Sequence, residues 1–281
     1  MIQPLLKDDA LLADIAQSKG HLVDFSLWWL GQSGFLIQWE GHHLLLDPYL
    51  SDSLTNKYAA TDKPHVRMTE LVIGPKRLNF LEAVTSSHNH TDHLDAETLL
   101  PLFTANPGLP LLLPEANINF ASERLGTAMT NLLGINVGQP VTVGAFTFHA
   151  IPAAHETLQC DDQSRHKFMG YVIKFGPWTV YHSGDTLLFD GMVEALKPFA
   201  IDVALLPING RAPERRVAGN LNGVEAAGLA KQIGAKTAIP CHYDMFEFNT
   251  SDPAEFVAAA NKVSQPHVVL KAGERWCSAD L

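Results

Sequence analysis

Cysteine is scarce in this 281-residue chain, and the three present, Cys160, Cys241 and Cys277, are odd in number and widely spaced. They make no disulfide framework, which suits a reducing compartment. An excess of positive charge is also missing: 20 Lys and Arg stand against 30 Asp and Glu, a formal net charge of −10. A nucleic-acid partner is therefore not expected, because binding phosphate backbones leaves a basic footprint. RAPERR at 211–216 is the one locally basic stretch. Apolar runs such as LLLP and VALLP fall far short of the roughly 20 residues that span a bilayer. The N-terminal MIQPLLKDDALLADIAQSKG carries acids at 8, 9 and 14 and lacks an apolar signal-peptide core, so it reads as a short amphipathic helix. The expectation is a soluble cytoplasmic protein with neither membrane nor nucleic acid as partner. Low-complexity tracts, charge blocks and Ser/Gly linkers are absent too, which leaves residues 1–281 as a single domain.

What is present is an ordinary globular composition, 46% hydrophobic and 18% charged. That is ample for a core without a metal or disulfide staple. FSLWWL, GFLIQWE and HHLLLDP read as a strand meander with a turn at Glu40-Gly41. LEAVTSS is a short strand, and LDAETLLPLF a helix whose start is favoured by Asp95 and Glu97. LPLLLP is a strand, ANINFASERL contains a helix, and QPVTVGAFTFHAIPA is a hairpin around Gly144. MGYVIKF and WTVYHSG pair through a Gly176-Pro177 turn. The last third alternates helix GMVEALKPF, strand DVALLP, helix VEAAGLAKQIG, strand KTAIP, helix DPAEFVAAANKV and strand HVVLKAG. An antiparallel first part and an alternating last part predict an α/β fold of two packed sheets with helices outside.

Unusual polar residues gather where strands end. TSSHNH, IPAAHE, YHSGDT and IPCHYD each follow an apolar β run directly. Strand C-terminal ends are where α/β proteins place ligands. The densest of these stretches, SSHNHTDHLD at 86–95, holds His88, His90, Asp92 and His93 within six positions. His-x-His-x-Asp-His arises in only about two per thousand shuffled chains of this composition, so accident explains it poorly. Imidazole and carboxylate suit divalent zinc, manganese or iron. The absence of cysteine favours a catalytic centre with open coordination positions over a closed structural site. In a strand-to-helix loop the four side chains point to different sides of one turn, His88 with His90 and Asp92 with His93, and so can serve two ions.

HNHTDH at 88–93 resembles the hallmark motif of the metallo-β-lactamase superfamily of metal-dependent hydrolases, and later single residues match its pattern in order: His155 in PAAHE, Asp185 in HSGDT and His242 in PCHYD. Asp47 in LLLDP matches the acid that closes that family's first hairpin. WWLGQSGFLIQ with LLLDPYLS, and YHSGDT with IDVAL, are similar to the branch containing bacterial L-ascorbate-6-phosphate lactonase. The resemblance spans about residues 25 to 275 and implies a four-layer αββα sandwich, two mixed β-sheets flanked by helices, with metals along one edge. It also implies two divalent ions, zinc first, with manganese or iron admitted by the same donors. His88, His90 and His155 would hold one, and Asp92, His93 and His242 the other, with Asp185 bridging. His90, where flavodiiron relatives carry Glu, favours hydrolysis over oxygen or NO reduction.

The implied reaction is attack by metal-activated water on an ester or lactone of a small anionic molecule such as a sugar phosphate, with Asp92 as the catalytic acceptor of the water's proton. Phosphodiester hydrolysis on the same centre, of phospholipase D or RNA-processing type, is one rival. A non-catalytic metal-binding scaffold or sensor is another. Asp47 and His182 are expected behind the ligands, and Cys241 in packing. Arg165, His166 and Lys167 in the polar loop 156–168, and Arg211 with Arg215 and Arg216, are the candidates for an anionic substrate group. His42 and His43 are expected in solvent, and His21, His65 and His267 receive no role. The partner set is a small-molecule substrate, together with a homo-oligomer suggested by the lactonase branch.

Overall fold

The computed structural model describes residues 1–18, 23–126 and 131–281. Helix α1 (Asp8–Ser18) opens with Asp8 and Asp9 at its positive end and buries Leu11, Ile15 and Ser18 on one stripe. Its sequence-predicted last residues, Lys19 and Gly20, lie outside the described residues, as does His21. Strands β1 (Phe25–Gly31), β2 (Gly34–Trp39) and β3 (His42–Leu46) form the antiparallel meander. Helix α2 (Ser53–Tyr58) follows, then β4 (Ala83–Thr85), α3 (Ala96–Ala105), β5 (Leu111–Pro114), α4 (Ile118–Leu125) and β6 (Leu132–Ile135). β3 to β6 pair in parallel, so the first sheet is mixed.

The second sheet begins with hairpin β7 (Val141–Val143) and β8 (Phe146–Pro152), turning at Gly144 with φ 54°. A short ribbon, β9 (Ala154–His155) with β10 (Thr157–Leu158), leads to β11 (Met169–Phe175) and β12 (Trp178–His182). Helix α5 (Met192–Leu196), β13 (Val203–Pro207), α6 (Gly223–Gln232), β14 (Thr237–Cys241) and α7 (Ala254–Lys262) complete the alternating part. β12, β13 and β14 are parallel, β12, β11, β8 and β7 antiparallel. Finally β15 (Arg275–Cys277) returns to pair with β1, giving a first sheet ordered β15-β1-β2-β3-β4-β5-β6 and a second ordered β14-β13-β12-β11-β8-β7. The expected two mixed sheets flanked by helices are thus present. α6 starts with a reciprocal cap: the Asn222 side chain accepts the Glu225 amide hydrogen and the Glu225 carboxylate accepts that of Asn222.

The sheets face each other through aromatic rings. Phe25 meets Phe175 edge-on with centroids 5.1 Å apart, and Trp178 and Trp276 pack on the same ring. Trp28 and Trp29 are buried in the same core. Three expectations need correction. HVVLKAG is not a strand: it makes one bridge, His267 with Ala238, and then crosses from the β14 edge toward β1, where the Gly273 amide donates to the Trp29 carbonyl. His43 is buried, not solvated, with its ring against Phe80, because β3 packs on both faces. His65 also has a place: it is buried and stacked on Tyr58 at 4.2 Å.

Candidate metal centre

Four strand ends converge. β4 runs into the 86–95 loop, β9 carries His155, β12 leads to Asp185, and β14 leads to His242. The motif loop is a tight turn in which the His90 carbonyl accepts the amides of His93 and Leu94. Asp95 closes it: its carboxylate accepts the hydroxyls of Ser51 and Thr98, and it caps α3 by accepting the Glu97 amide. The Asp185 loop comes so close that a Cβ on Gly184, at φ 59°, would lie 2.6 Å from Cβ of Ser87. Only glycine meets that approach.

The convergence makes two adjoining groups of ligand-type atoms. His88, His90 and His155 form one; Asp92, His93, Asp185 and His242 form the other, with the atoms of each group within 4.8 Å of one another. Asp185 lies between them. One oxygen is 3.3 Å from Nε2 of His93, and the other is 3.3 Å from Nε2 of His242 and 3.8 Å from Nε2 of His155.

Neighbours behind the groups fix which ring nitrogen faces inward. His93 Nδ1 donates to Asp47 at 2.8 Å and His155 Nδ1 to the Gly219 carbonyl at 2.8 Å, leaving both Nε2 lone pairs toward the centre. Asp47 is fully buried and also accepts the Thr85 hydroxyl and the Ser87 amide. Burial pushes its carboxyl up, but the His93 hydrogen bond, the nearby His182 and His93 rings, and Ser87 outweigh burial and hold it at about 2. Burial lowers His88 well below the usual histidine value and lowers His155, keeping both imidazoles in the neutral form that ligates a cation. Burial also opposes charge on His93, yet Asp185, Asp92 and Asp47 draw it well above its ordinary value. The second group thus concentrates carboxylate charge that calls for a cation.

The residues fit divalent metal. Among the described residues, Nε2 of His88, Nε2 of His93 and Oδ1 of Asp185 are buried without a hydrogen-bond partner. Orphaned buried polar atoms cost about 1–3 kcal/mol each, and cations held by the two groups would satisfy all three.

Sequence reasoning missed several contributors. Gln32, in the β1–β2 turn at φ 51°, donates its amide to Asp92 at 2.8 Å and lies 2.9 Å from Nε2 of His242. Phe168 packs beneath the rings of His88, His90 and His155. His182 bonds the Ser33 carbonyl at 2.9 Å, bracing the turn beside Gln32 rather than touching either ligand group. Cys241 is packed in the core.

The centre forms the floor of a cleft of about 510 Å³ with Leu54, Tyr58, Phe120, Arg124, Phe246 and Phe248 among its walls. The candidates for the substrate anion mostly lie elsewhere. Arg165 is spent on Asp161 and Glu115, Arg211 on Glu225, and His166 on Cys160. None of Arg165, His166, Lys167 or Arg211 lines the cleft, because their loops turn outward to local partners; Arg216 reaches its mouth while paired with Asp62.

Two sheets between helices, with His and Asp gathered at their strand ends, define the metallo-β-lactamase fold of metal-dependent hydrolases. The profile of the beta-lactamase superfamily domain matches residues 42–243, and the chain belongs to that family. A metal-dependent hydrolase of Pyrobaculum aerophilum is 28% identical over 248 residues, 88% of this chain and 96% of the relative. A metallo hydrolase of Ignicoccus hospitalis superimposes with a TM-score of 0.66 at 22% identity, covering 91% of this chain and 98% of that one. An isothiocyanate hydrolase from Delia radicum gut bacteria does so with a TM-score of 0.69 at 18% identity over 89% and 98% of the two chains. No helix of the described residues is long and apolar enough to cross a membrane.

Proposed function

We propose that this metal-dependent hydrolase cleaves the ester or lactone of a small anionic molecule, using two divalent ions. The observation that carries the reading is the pair of adjoining ligand groups with Asp185 between them, opening onto one cleft. His88, His90 and His155 would hold one ion, Asp92, His93 and His242 the other, and Asp185 would reach both. Zinc suits this mixture of imidazole and carboxylate, as do manganese and iron. Such ions, when bound, supply Lewis acidity and an acidified water.

The chain's own residues supply orientation and proton handling. Asp47 and the Gly219 carbonyl hold His93 and His155 in the tautomer that presents Nε2. Asp92, tethered by Gln32 and facing the cleft, is placed to accept the proton of the attacking water. The lactonase-like branch suggested by WWLGQSGFLIQ supports a lactone or ester. Its sugar-phosphate character has weaker support, since the basic clusters expected for phosphate lie outside the cleft.

The test is a panel of lactones, carboxylic esters and bis(p-nitrophenyl) phosphate with the metal-loaded protein, alongside His90→Ala. His90 is exposed in the cleft, so its removal leaves the fold intact. Hydrolysis of lactone or ester, lost in His90→Ala, is expected. Preference for the phosphodiester would replace the substrate reading. Undiminished turnover in metal-stripped His90→Ala would remove the reading altogether.

A further inference from the structure

We infer that Arg124 is the substrate's anion-binding residue, and that the substrate is a monoanionic carboxylate carrying a flat apolar part. The inference rests on the hydrolytic reading above and specifies its substrate. Arg124 lies in the last turn of α4 and reaches over the motif loop, where Nη1 donates to the carbonyls of Asn89 at 2.7 Å and Leu94 at 3.2 Å. Its guanidinium carbon stands 4.5 Å from the centre of the Phe120 ring. One edge of the guanidinium is thereby fixed while the group lines the cleft. No carboxylate of the described residues lies within 4 Å of it, unlike Arg165, Arg211 and Arg216, each of which has an acid. A positioned guanidinium without an acid partner is suited to bidentate capture of a planar carboxylate.

The other cations lining the cleft differ. Arg216 is 60% exposed and paired with Asp62, and Lys57 lies 5.1 Å from the centre of the Tyr58 ring at the end of α2. One positioned cation matches one negative charge, which favours carboxylate over doubly charged phosphate. Tyr58, Phe246 and Phe248 also line the cleft, stacked on or edge-on to His65, and leave an aromatic wall for a planar group. An ester reaching the ions would then have its carboxylate on Arg124 and its apolar part on that wall.

The probes are 3-hydroxybenzoate and its neutral analogue 3-hydroxybenzamide, titrated calorimetrically into metal-loaded protein, with 3-acetoxybenzoate and 3-acetoxybenzamide as the ester pair. The carboxylate is expected to bind about ten-fold or more tighter than the amide. In Arg124→Gln, which keeps a donor for the Asn89 carbonyl, that preference should vanish at unchanged metal content. A preference retained in Arg124→Gln would place the carboxylate on the metals and overturn the inference. Equal binding of both probes by the wild type would overturn it too. A second measurement needs no variant: 3-hydroxybenzoate should protect Arg124 of the wild type from phenylglyoxal, read by peptide mass spectrometry, and 3-hydroxybenzamide should not. Equal labelling would count against the inference. Equal hydrolysis of both esters, unaltered in Arg124→Gln, would refute the role of Arg124 and leave the hydrolase reading standing. Arg124-dependent carboxylate binding without hydrolysis of any ester or lactone would do the reverse.

Discussion

Asp47→Asn probes the support of the centre without touching a group expected to hold metal. Position 47 has φ 36°, a backbone region that asparagine tolerates and alanine does not, so the amide variant isolates the loss of charge. In the wild type the carboxylate accepts from His93 Nδ1 at 2.8 Å, Thr85 Oγ1 at 2.7 Å and the Ser87 amide at 3.0–3.1 Å. An amide has one acceptor atom. Its NH2 must therefore face the Ser87 amide or His93, and in the latter case His93 adopts the tautomer whose Nε2–H points at the metal position. The drop of Asp47 from 3.8 to about 2 on folding corresponds to about 2 kcal/mol of stability. Because this pKa is depressed, that contribution is fully present above about pH 4 and is lost as pH falls through about 2. Asp47→Asn should therefore lose about 2 kcal/mol at pH 7 in urea unfolding of metal-free protein, and the deficit should shrink toward pH 2. Its zinc affinity, measured against a chromophoric chelator, should fall about 10–100-fold. Unchanged zinc affinity together with an unchanged urea midpoint would refute the reasoning.

Gly184→Ala should destabilise the protein by about 3 kcal/mol or more in the same unfolding assay, since the new methyl meets Ser87 and the Met169 carbonyl at a positive φ. Gln32→Leu should keep the fold but reduce hydrolysis roughly ten-fold or more with the metal still bound, because Asp92 loses its donor; rate and metal content measured on one sample decide this. Chelator treatment should lower the thermal midpoint and added zinc restore it, as binding to the native state alone requires, in a melt followed by circular dichroism.

The motif loop and the layering were legible because their signals are local. His88 to His93 bunch ligand types within one turn, and helix–strand alternation from Met192 onward follows hydrophobic period. Asp185 and His242 were visible as polar residues abruptly ending apolar strands. Asp47 was legible in LLLDP, and the structure shows it holding both His93 and the Ser87 amide. Other parts depend on tertiary direction. Gln32 has no pattern of its own, and its amide reaches Asp92 only when the β1–β2 turn folds over the centre. Arg165 and Arg211 looked like substrate contacts because charge in a polar loop does not reveal which way it turns, while nothing local in ANINFASERL marks Arg124 as a residue that lines the cleft. HVVLKAG has strand composition yet lies between the two sheets with a single bridging partner, whereas RWC, only three residues, becomes β15 because β1 offers it an edge. Nothing in the local sequence of HHLLL separates His42, half-exposed beside Glu82, from buried His43.

The central claim, hydrolysis on two ions held by both ligand groups, is tested most directly by titrating zinc into metal-free protein while metal per chain and ester or lactone hydrolysis are measured on the same samples. Hydrolysis is expected to rise to a plateau at two bound ions per chain. A plateau at one ion, or full hydrolysis with none bound, would contradict it.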